Sequence, residues 1–317
     1  MPAERQTETI DGHEVSLSKP DKVMYPDAAY TKADVVGFYR RIAPVILPHL
    51  HDRPVTRIRY PNGTGTRPFY EKNAPAGTPD WVRLATLSTP GSSKGRDTAD
   101  FPVVEETATL VWLANLAALE LHTTQWMIGD DGDERLPDRL VADLDPGPGT
   151  GPEDTAEVAL LLRERLGRDG LTAYAKSSGK KGVHVCCPIS ATQTDLDVSA
   201  YAKAIAKELE EERPDLVTSN MLKKERDGRI LIDWSQNNAA KTTVAPYSLR
   251  GLGVPTVSAP MTWDEVETAR ELKFTPEEVF ERVDKDGDLW EPLLERGPKV
   301  PEVEGPKPRR RAARPRT

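Results

Sequence analysis

The chain has 317 residues, with 43 Lys and Arg against 51 Asp and Glu, a formal net charge of −8 and 37% hydrophobic residues. That content excludes wholesale disorder and fits one large domain or two intimate lobes, because single cores rarely grow beyond roughly 250–300 residues. The most apolar stretch, Leu110 to Leu121, carries Asn115 and Glu120 and is far short of the roughly 20 residues a bilayer demands, and Met1 to Lys22 has no apolar leader segment, so a cytoplasmic protein is expected.

In chain order, Thr31 with Asp34 resembles a capped helix start, followed at helical spacing by Val35, Phe38, Tyr39, Ile42, Val45 and Ile46, with Pro44 expected to kink or split the helix. Strands are expected at residues 55–60 and 81–87, a helix at 106–121, then strands at 125–128 and 140–145. A helix at 153–166, strands at 171–175 and 183–188, a helix at 198–212 and a strand at 229–234 follow, and a smaller helical stretch at 263–283 closes the folded part. The alternation makes this an α/β protein. From Glu295 onward five prolines and, between Lys307 and Thr317, six basic residues without an acidic one predict an unstructured basic tail, either a solubilising appendage or a phosphate-seeking arm. Cys186 and Cys187, adjacent on a strand, point to opposite faces, so neither a disulfide nor a zinc site is expected.

The sharpest chemical feature is Leu140-Val-Ala-Asp143-Leu-Asp145-Pro-Gly147, a short apolar strand ending in two carboxylates. Period two puts Asp143 and Asp145 on one face, roughly 7 Å apart at the backbone, an arrangement suited to Mg²⁺ or Mn²⁺ bound with a substrate phosphate. A solvent-exposed strand end is the plain alternative. Next comes Ser177-Ser178-Gly179-Lys180-Lys181-Gly182-Val-His184, where two glycines free backbone N–H groups and Ser178, Lys181 and His184 add donors for a triphosphate; a hairpin with solvated lysines reads equally well. Asp233, ending the apolar run Ile230-Leu-Ile, supplies a third carboxylate with Arg226 before it and Arg250 after, and a two-metal cage needs that third group. Other apparent motifs fail: Gly147, Gly149 and Gly151 read as a loop into a helix, Asp284, Asp286 and Asp288 lack the calcium-loop glycine, residues 130–134 form a hairpin tip, and His49 and His51 are expected on the surface.

These motifs in this order, with Asp233-Trp-Ser-Gln-Asn-Asn-Ala-Ala-Lys241-Thr-Thr-Val-Ala-Pro-Tyr-Ser-Leu-Arg250-Gly251, closely resemble the polymerase domain of bacterial ligase D, in the archaeo-eukaryotic primase superfamily. The resemblance runs from Leu17-Ser-Lys-Pro-Asp-Lys-Val-Met-Tyr-Pro26 to Asp286-Gly-Asp-Leu289 and implies a primase-polymerase fold of two packed, sheet-containing lobes over residues 1–294, with DNA-end contacts in 1–135 and catalytic motifs in 136–294. It implies that Asp143, Asp145 and Asp233 hold two Mn²⁺ or Mg²⁺ ions and that Ser178, Lys181, His184, Gln236 and Arg250 contact the nucleoside triphosphate. By the same resemblance His122 is an active-site histidine, Lys22, Lys32 and Arg226 hold the 5′-phosphate of the downstream strand, and Phe69 and Tyr70 stack on template bases. Lys19 and Tyr70 depart from the family's usual Asn and Phe.

The implied activity is template-directed nucleotide addition at DNA ends and short gaps in non-homologous end joining, with a preference for ribonucleotides. The expected protein is nucleoid-associated and stand-alone, working with a separate DNA ligase and Ku, since Lys224-Glu-Arg-Asp-Gly228 misses the ligase signature by one residue. A primase starting strands de novo, a metal-dependent phosphodiesterase and a non-catalytic DNA-end-binding protein remain the alternatives.

Overall fold

The computed structural model describes residues 5–89, 97–268 and 272–303. Most of the expected basic tail, including Lys307 to Thr317, lies outside them. Helix α1, Lys32–Leu50, starts where the sequence places it: Thr31 Oγ1 accepts from the Asp34 amide at 3.3 Å and the Asp34 carboxylate accepts from the Thr31 amide at 2.7 Å. Pro44 does not split this helix. Pro44 and Pro48 sit one turn apart on its exposed face, where a carbonyl that loses its partner meets water.

The expected helix at 106–121 is corrected. Helix α2 covers Thr107–Asn115, Ala117 turns the chain with φ +62°, and Ala118–Thr123 is a strand. Helices α3 (Pro152–Arg168) and α4 (Asp195–Glu212) match expectation, the former entered through Gly151 and Pro152. The stretch at 263–283 is two helices, α5 (Trp263–Thr268) and α6 (Pro276–Asp286), and the strand expected at 125–128 reduces to a single bridge from Ile128 to Glu134 across the anticipated hairpin tip.

A six-stranded sheet carries the order Val217–Thr218, Ile230–Asp233, Arg139–Pro146, Val183–Pro188, Tyr174–Ser177, Pro260–Met261, antiparallel except for its first pair. A four-stranded antiparallel sheet has the order Thr243–Val244, Ala118–Thr123, Val55–Arg59, Phe69–Glu71. One apolar cluster joins α1 and α2 to the strands of both sheets and to α3 and α4, which fixes the lobes against each other. The cysteines are unpaired and face opposite sides of the larger sheet: Cys187 joins this main cluster, whereas Cys186 packs with Val141, Trp290 and Leu293.

Residues 295–303 do not belong to a loose tail. The Ser190 amide donates to the Pro298 carbonyl at 3.1 Å, the Gln193 side chain pairs with both backbone groups of Val300, and Val300 is 2% exposed. Apolar Val300 and these hydrogen bonds outweigh the proline content there. None of the helices among the described residues is long and apolar enough to cross a membrane.

Candidate nucleotidyltransfer site

The larger sheet brings the expected carboxylates together by register. Asp143 pairs directly with Asp233 on one neighbouring strand and with His184 on the other, while Asp145, two residues on, shares the face of Asp143. The ladder between strands Arg139–Pro146 and Ile230–Asp233 ends at this aspartate pair, and the Asn237 side chain then takes over, accepting from the Val141 amide at 2.8 Å and donating to its carbonyl at 2.7 Å. Asn237 thereby pins the turn that presents Gln236, whose Nε2 lies 3.0 Å from Asp233 and 3.5 Å from Asp143. Ser235 donates to the other Asp233 oxygen through its amide and its hydroxyl.

Electrostatics separates the two aspartates of the first motif. Although the Asp145 side chain is 52% exposed, partial desolvation at the crowded strand end, and then repulsion from Asp143 and Asp233, raises its carboxyl to about 6, with Arg226 at 3.7 Å offsetting part of it. Burial also works to raise Asp143, but His184, 3.2 Å away, with Lys176 and Arg250 farther off, holds it below the usual carboxylate range. Three oxygen-donor carboxylates that strain one another in this way fit a hard divalent cation, which removes the repulsion. His184 Nδ1, Gln236 Oε1, Arg226 Nε and Arg250 Nε are buried around them without a protein partner, as a ligand-binding site requires. Among the described residues, however, three possible ligand atoms fall within 4.8 Å of one another only at His51, Asp52 and Glu105, so the carboxylate trio is not drawn in that tightly. That other group is already bridged by the Arg83 guanidinium, which bonds both Asp52 and Glu105.

The glycine-rich turn packs beside the trio. Ser178 Oγ accepts from the Gly182 amide at 3.1 Å and the Lys180 amide at 3.3 Å, closing the turn, and Lys181 is exposed. Gly179 has φ +71° and a Cβ there would meet Arg250 Cγ at 2.5 Å; one at Gly182 would lie 2.1 Å from the Leu144 carbonyl. The turn is therefore pressed against both Arg250 and the carboxylate strand.

Glu120 is a site residue that sequence reasoning missed. Fully buried, it faces His122 Nε2 at 3.1 Å and Arg250 Nη2 at 3.4 Å, and accepts from Tyr60 Oη and the Gly251 amide. It thereby orients two expected nucleotide contacts from the smaller sheet. Lys176, also overlooked, is 1% exposed beside His184. Period-two spacing offered a signal for each: Glu120 is two residues from His122, and Lys176 two from Ser178.

A second group is cationic. Lys32 Nζ donates to the Asn115 carbonyl at 3.0 Å, and Lys22 Nζ bonds the Pro61 carbonyl and lies 3.4 Å from Asn62 Oδ1. Burial, then the nearby Lys22, Lys19 and Arg59, lowers Lys32 to about 8, the mark of cations gathered at one place. Arg226 sits apart from this group in its contacts, bonding the Met221 carbonyl and facing Asp145. Phe69 and Tyr70 are 55% and 54% exposed on an edge strand, with Tyr70 Oη 3.2 Å from Thr242 Oγ1. Adjacent strand residues point to opposite sides, so the two rings do not share a face. His51 is exposed as expected, but His49 is wholly buried, its Nε2 2.7 Å from Asp288.

The description LigD, primase-polymerase domain, matches residues 31–290 of the chain. The chain belongs to this family. It is 42% identical over 281 residues to the multifunctional non-homologous end joining protein LigD of Mycolicibacterium smegmatis, covering 88% of this chain and 36% of that protein. The multifunctional end-joining DNA repair protein LigD of Mycobacterium tuberculosis (strain H37Rv) is 40% identical over 88% of the chain and 37% of its own length, and the bifunctional LigD of Bacillus subtilis 32% identical over 84% and 42%. The chain thus spans well under half the length of these relatives. Among solved structures, the polymerase domain from Mycobacterium tuberculosis ligase D in complex with DNA superposes with a TM-score of 0.84 at 39% identity, covering 88% of this chain and 98% of that one. The primase-polymerase fold and the nucleotidyltransferase class follow for this LigD-type domain, with the carboxylates on strands of the larger sheet.

Proposed function

We propose that this LigD-type domain extends primers and fills short gaps at DNA ends in end joining, adding template-directed nucleotides to a 3′-hydroxyl. The observation that carries it is the Asp143–Asp233 pairing, with Asp145 on the same face and His184 on the flanking strand. Asp143, Asp145 and Asp233 hold Mg²⁺ or Mn²⁺, which when bound in a pair supplies activation of the attacking hydroxyl and neutralisation of the leaving pyrophosphate.

The chain's own groups position the substrates. Ser178 closes the turn that offers Lys181 to the triphosphate, Gln236 reaches across two of the carboxylates, and Glu120 fixes Arg250 and His122 beside the nucleotide. Lys22 and Lys32, with Lys19 and Arg59 around them, attract the 5′-phosphate of the downstream strand, where point charges suffice. By the resemblance Arg226 serves the same 5′-phosphate, from a place beside Asp145, and Phe69 and Tyr70 offer exposed rings to template bases. The resemblance is what supports a preference for ribonucleotides, and Ku and a separate DNA ligase as partners.

Primer extension on gapped DNA, with and without a 5′-phosphate and with NTPs or dNTPs, tests this. Elongation with pyrophosphate release, faster on the phosphorylated gap and with NTPs, is expected. Shortening of the primer selects a phosphodiesterase, products without a primer select a primase, and binding without either selects an end-binding protein.

A further inference from the structure

Lys176 stands at the end of the row that the carboxylates begin. Asp233 pairs with Asp143, Asp143 with His184 and His184 with Lys176, so four consecutive strands each place one residue in line on a single face. Lys176 is 1% exposed, which removes it from direct contact with substrate. Its Nζ donates to Ser258 Oγ at 2.6 Å, and that hydroxyl donates onward to the Ser177 carbonyl at 2.8 Å. The Trp290 ring centre lies 5.7 Å from the ammonium.

This environment stabilises a cation only in part. Among the described residues no carboxylate comes within 4.0 Å of Nζ, whereas Arg250 has Glu120 at 3.4 Å and Arg226 has Asp145 at 3.7 Å. Burying an ammonium without an anion is costly, and the anions aligned with Lys176 are those of the row. Burial pushes Lys176 down to about 7, while Asp143 works against that shift, and Lys176 in turn helps hold Asp143 ionised. Ion and lysine therefore compete for the same negative charge.

We propose that Lys176 is a positioning residue, a fixed counter-cation in the sheet that weakens binding of a free divalent ion to Asp143, Asp145 and Asp233. The ion is then retained when the triphosphate arrives with negative charge of its own. This rests on the trio being the metal site, and it assigns Lys176 the task of coupling ion retention to nucleotide binding. A unit charge acting on a divalent ion across about 10 Å, at an effective dielectric of about 20–40, is large enough to change affinity by about tenfold or more.

The test is Mn²⁺ titration of the whole chain without nucleotide at pH 6.5, with free Mn²⁺ read by electron paramagnetic resonance. Lys176→Met is expected to bind Mn²⁺ about tenfold tighter than wild type, and Lys176→Arg to stay within about twofold. Adding a non-hydrolysable NTP narrows the Met-to-wild-type difference. A purely structural lysine would, on removal, loosen the site, so tightening is the diagnostic sign. Should the Met variant not fold, Lys176→Gln, which keeps a donor for Ser258, gives the same readout. Unchanged or weaker Mn²⁺ binding by a folded neutral variant overturns the proposal. Asp143→Asn runs alongside: Mn²⁺ binding insensitive to that change refutes the metal-site reading itself, a failure separate from that of Lys176.

Discussion

Replacing Glu120 with Gln should destabilise the protein by about 3 kcal/mol at neutral pH, and that loss should fade in acid. Burial acts to raise the Glu120 carboxyl, but His122, Arg250 and Lys180 overcome it and hold the group at about 2 against an ordinary 4.5. Because the folded value lies below the unfolded one, ionised Glu120 contributes its full stability above about pH 5 and loses it as pH falls through 4.5 toward 2. At ~1.4 kcal/mol per pH unit the interval is worth about 3 kcal/mol, and the side chain is too buried for solvent to screen it. The figure agrees with the roughly 3–5 kcal/mol lost when one partner of a buried ion pair is removed. Gln retains the shape and one acceptor oxygen, so the charge is what changes. Urea unfolding of wild type and Glu120→Gln, followed by tryptophan fluorescence at pH 7, 5, 4 and 3, reads the difference directly. About 3 kcal/mol is expected at pH 7 and less than half of it at pH 3. A difference below about 1 kcal/mol, or one that does not change with pH, refutes the assignment of Glu120 as the buried anion that holds Arg250.

Three further outcomes are expected. Asp143→Ala and Asp145→Ala should each leave less than about a tenth of wild-type primer extension in a protein whose circular dichroism is unchanged, since removing either breaks the ion-binding set; losing Asp145 also relieves repulsion, whereas losing Asp143 gives up its favourable contact with His184. Lys22→Ala should weaken binding to gaps with a 5′-phosphate by about tenfold to a hundredfold, from the roughly 1.5–3 kcal/mol of a charge-assisted contact, and equal loss on hydroxyl-ended gaps in fluorescence anisotropy would reduce Lys22 to general electrostatics. Gly182→Ala should raise the KM for nucleotide several-fold or more, because its Cβ would sit 2.1 Å from the Leu144 carbonyl on the strand that carries Asp143, and unchanged steady-state kinetics would show that the turn yields.

The carboxylate site was legible because its information is local. Asp143 and Asp145 follow an unbroken apolar run, and Asp233 another, so each strand and its polar end could be read within a few residues. The Thr31–Asp34 cap was readable for the same reason. What pairs these strands is not local: Asp143 meets Asp233 through a register between segments 90 residues apart, and only the motif order of a known family linked them in the sequence.

The failures share a physical cause. Residues 108–121 are buried on nearly every side and mostly apolar, and a segment buried on both faces shows neither a clear 3.6-residue nor a clear two-residue period, so a helix, a reversal at Ala117 and a strand merged into one expected helix. That error concealed Glu120. On a helix it would have been an isolated buried acid, whereas on a strand two residues before His122 it shares that residue's face and meets Arg250, which comes from 130 residues further along the chain. His49 repeats the pattern, since its burial depends on Asp288 and Arg139 arriving from distant segments. Local runs thus identified the groups proposed to act on the substrate, while the buried charges packed against them, Glu120 beneath Arg250 and Lys176 beside His184, became visible only once the sheets were assembled.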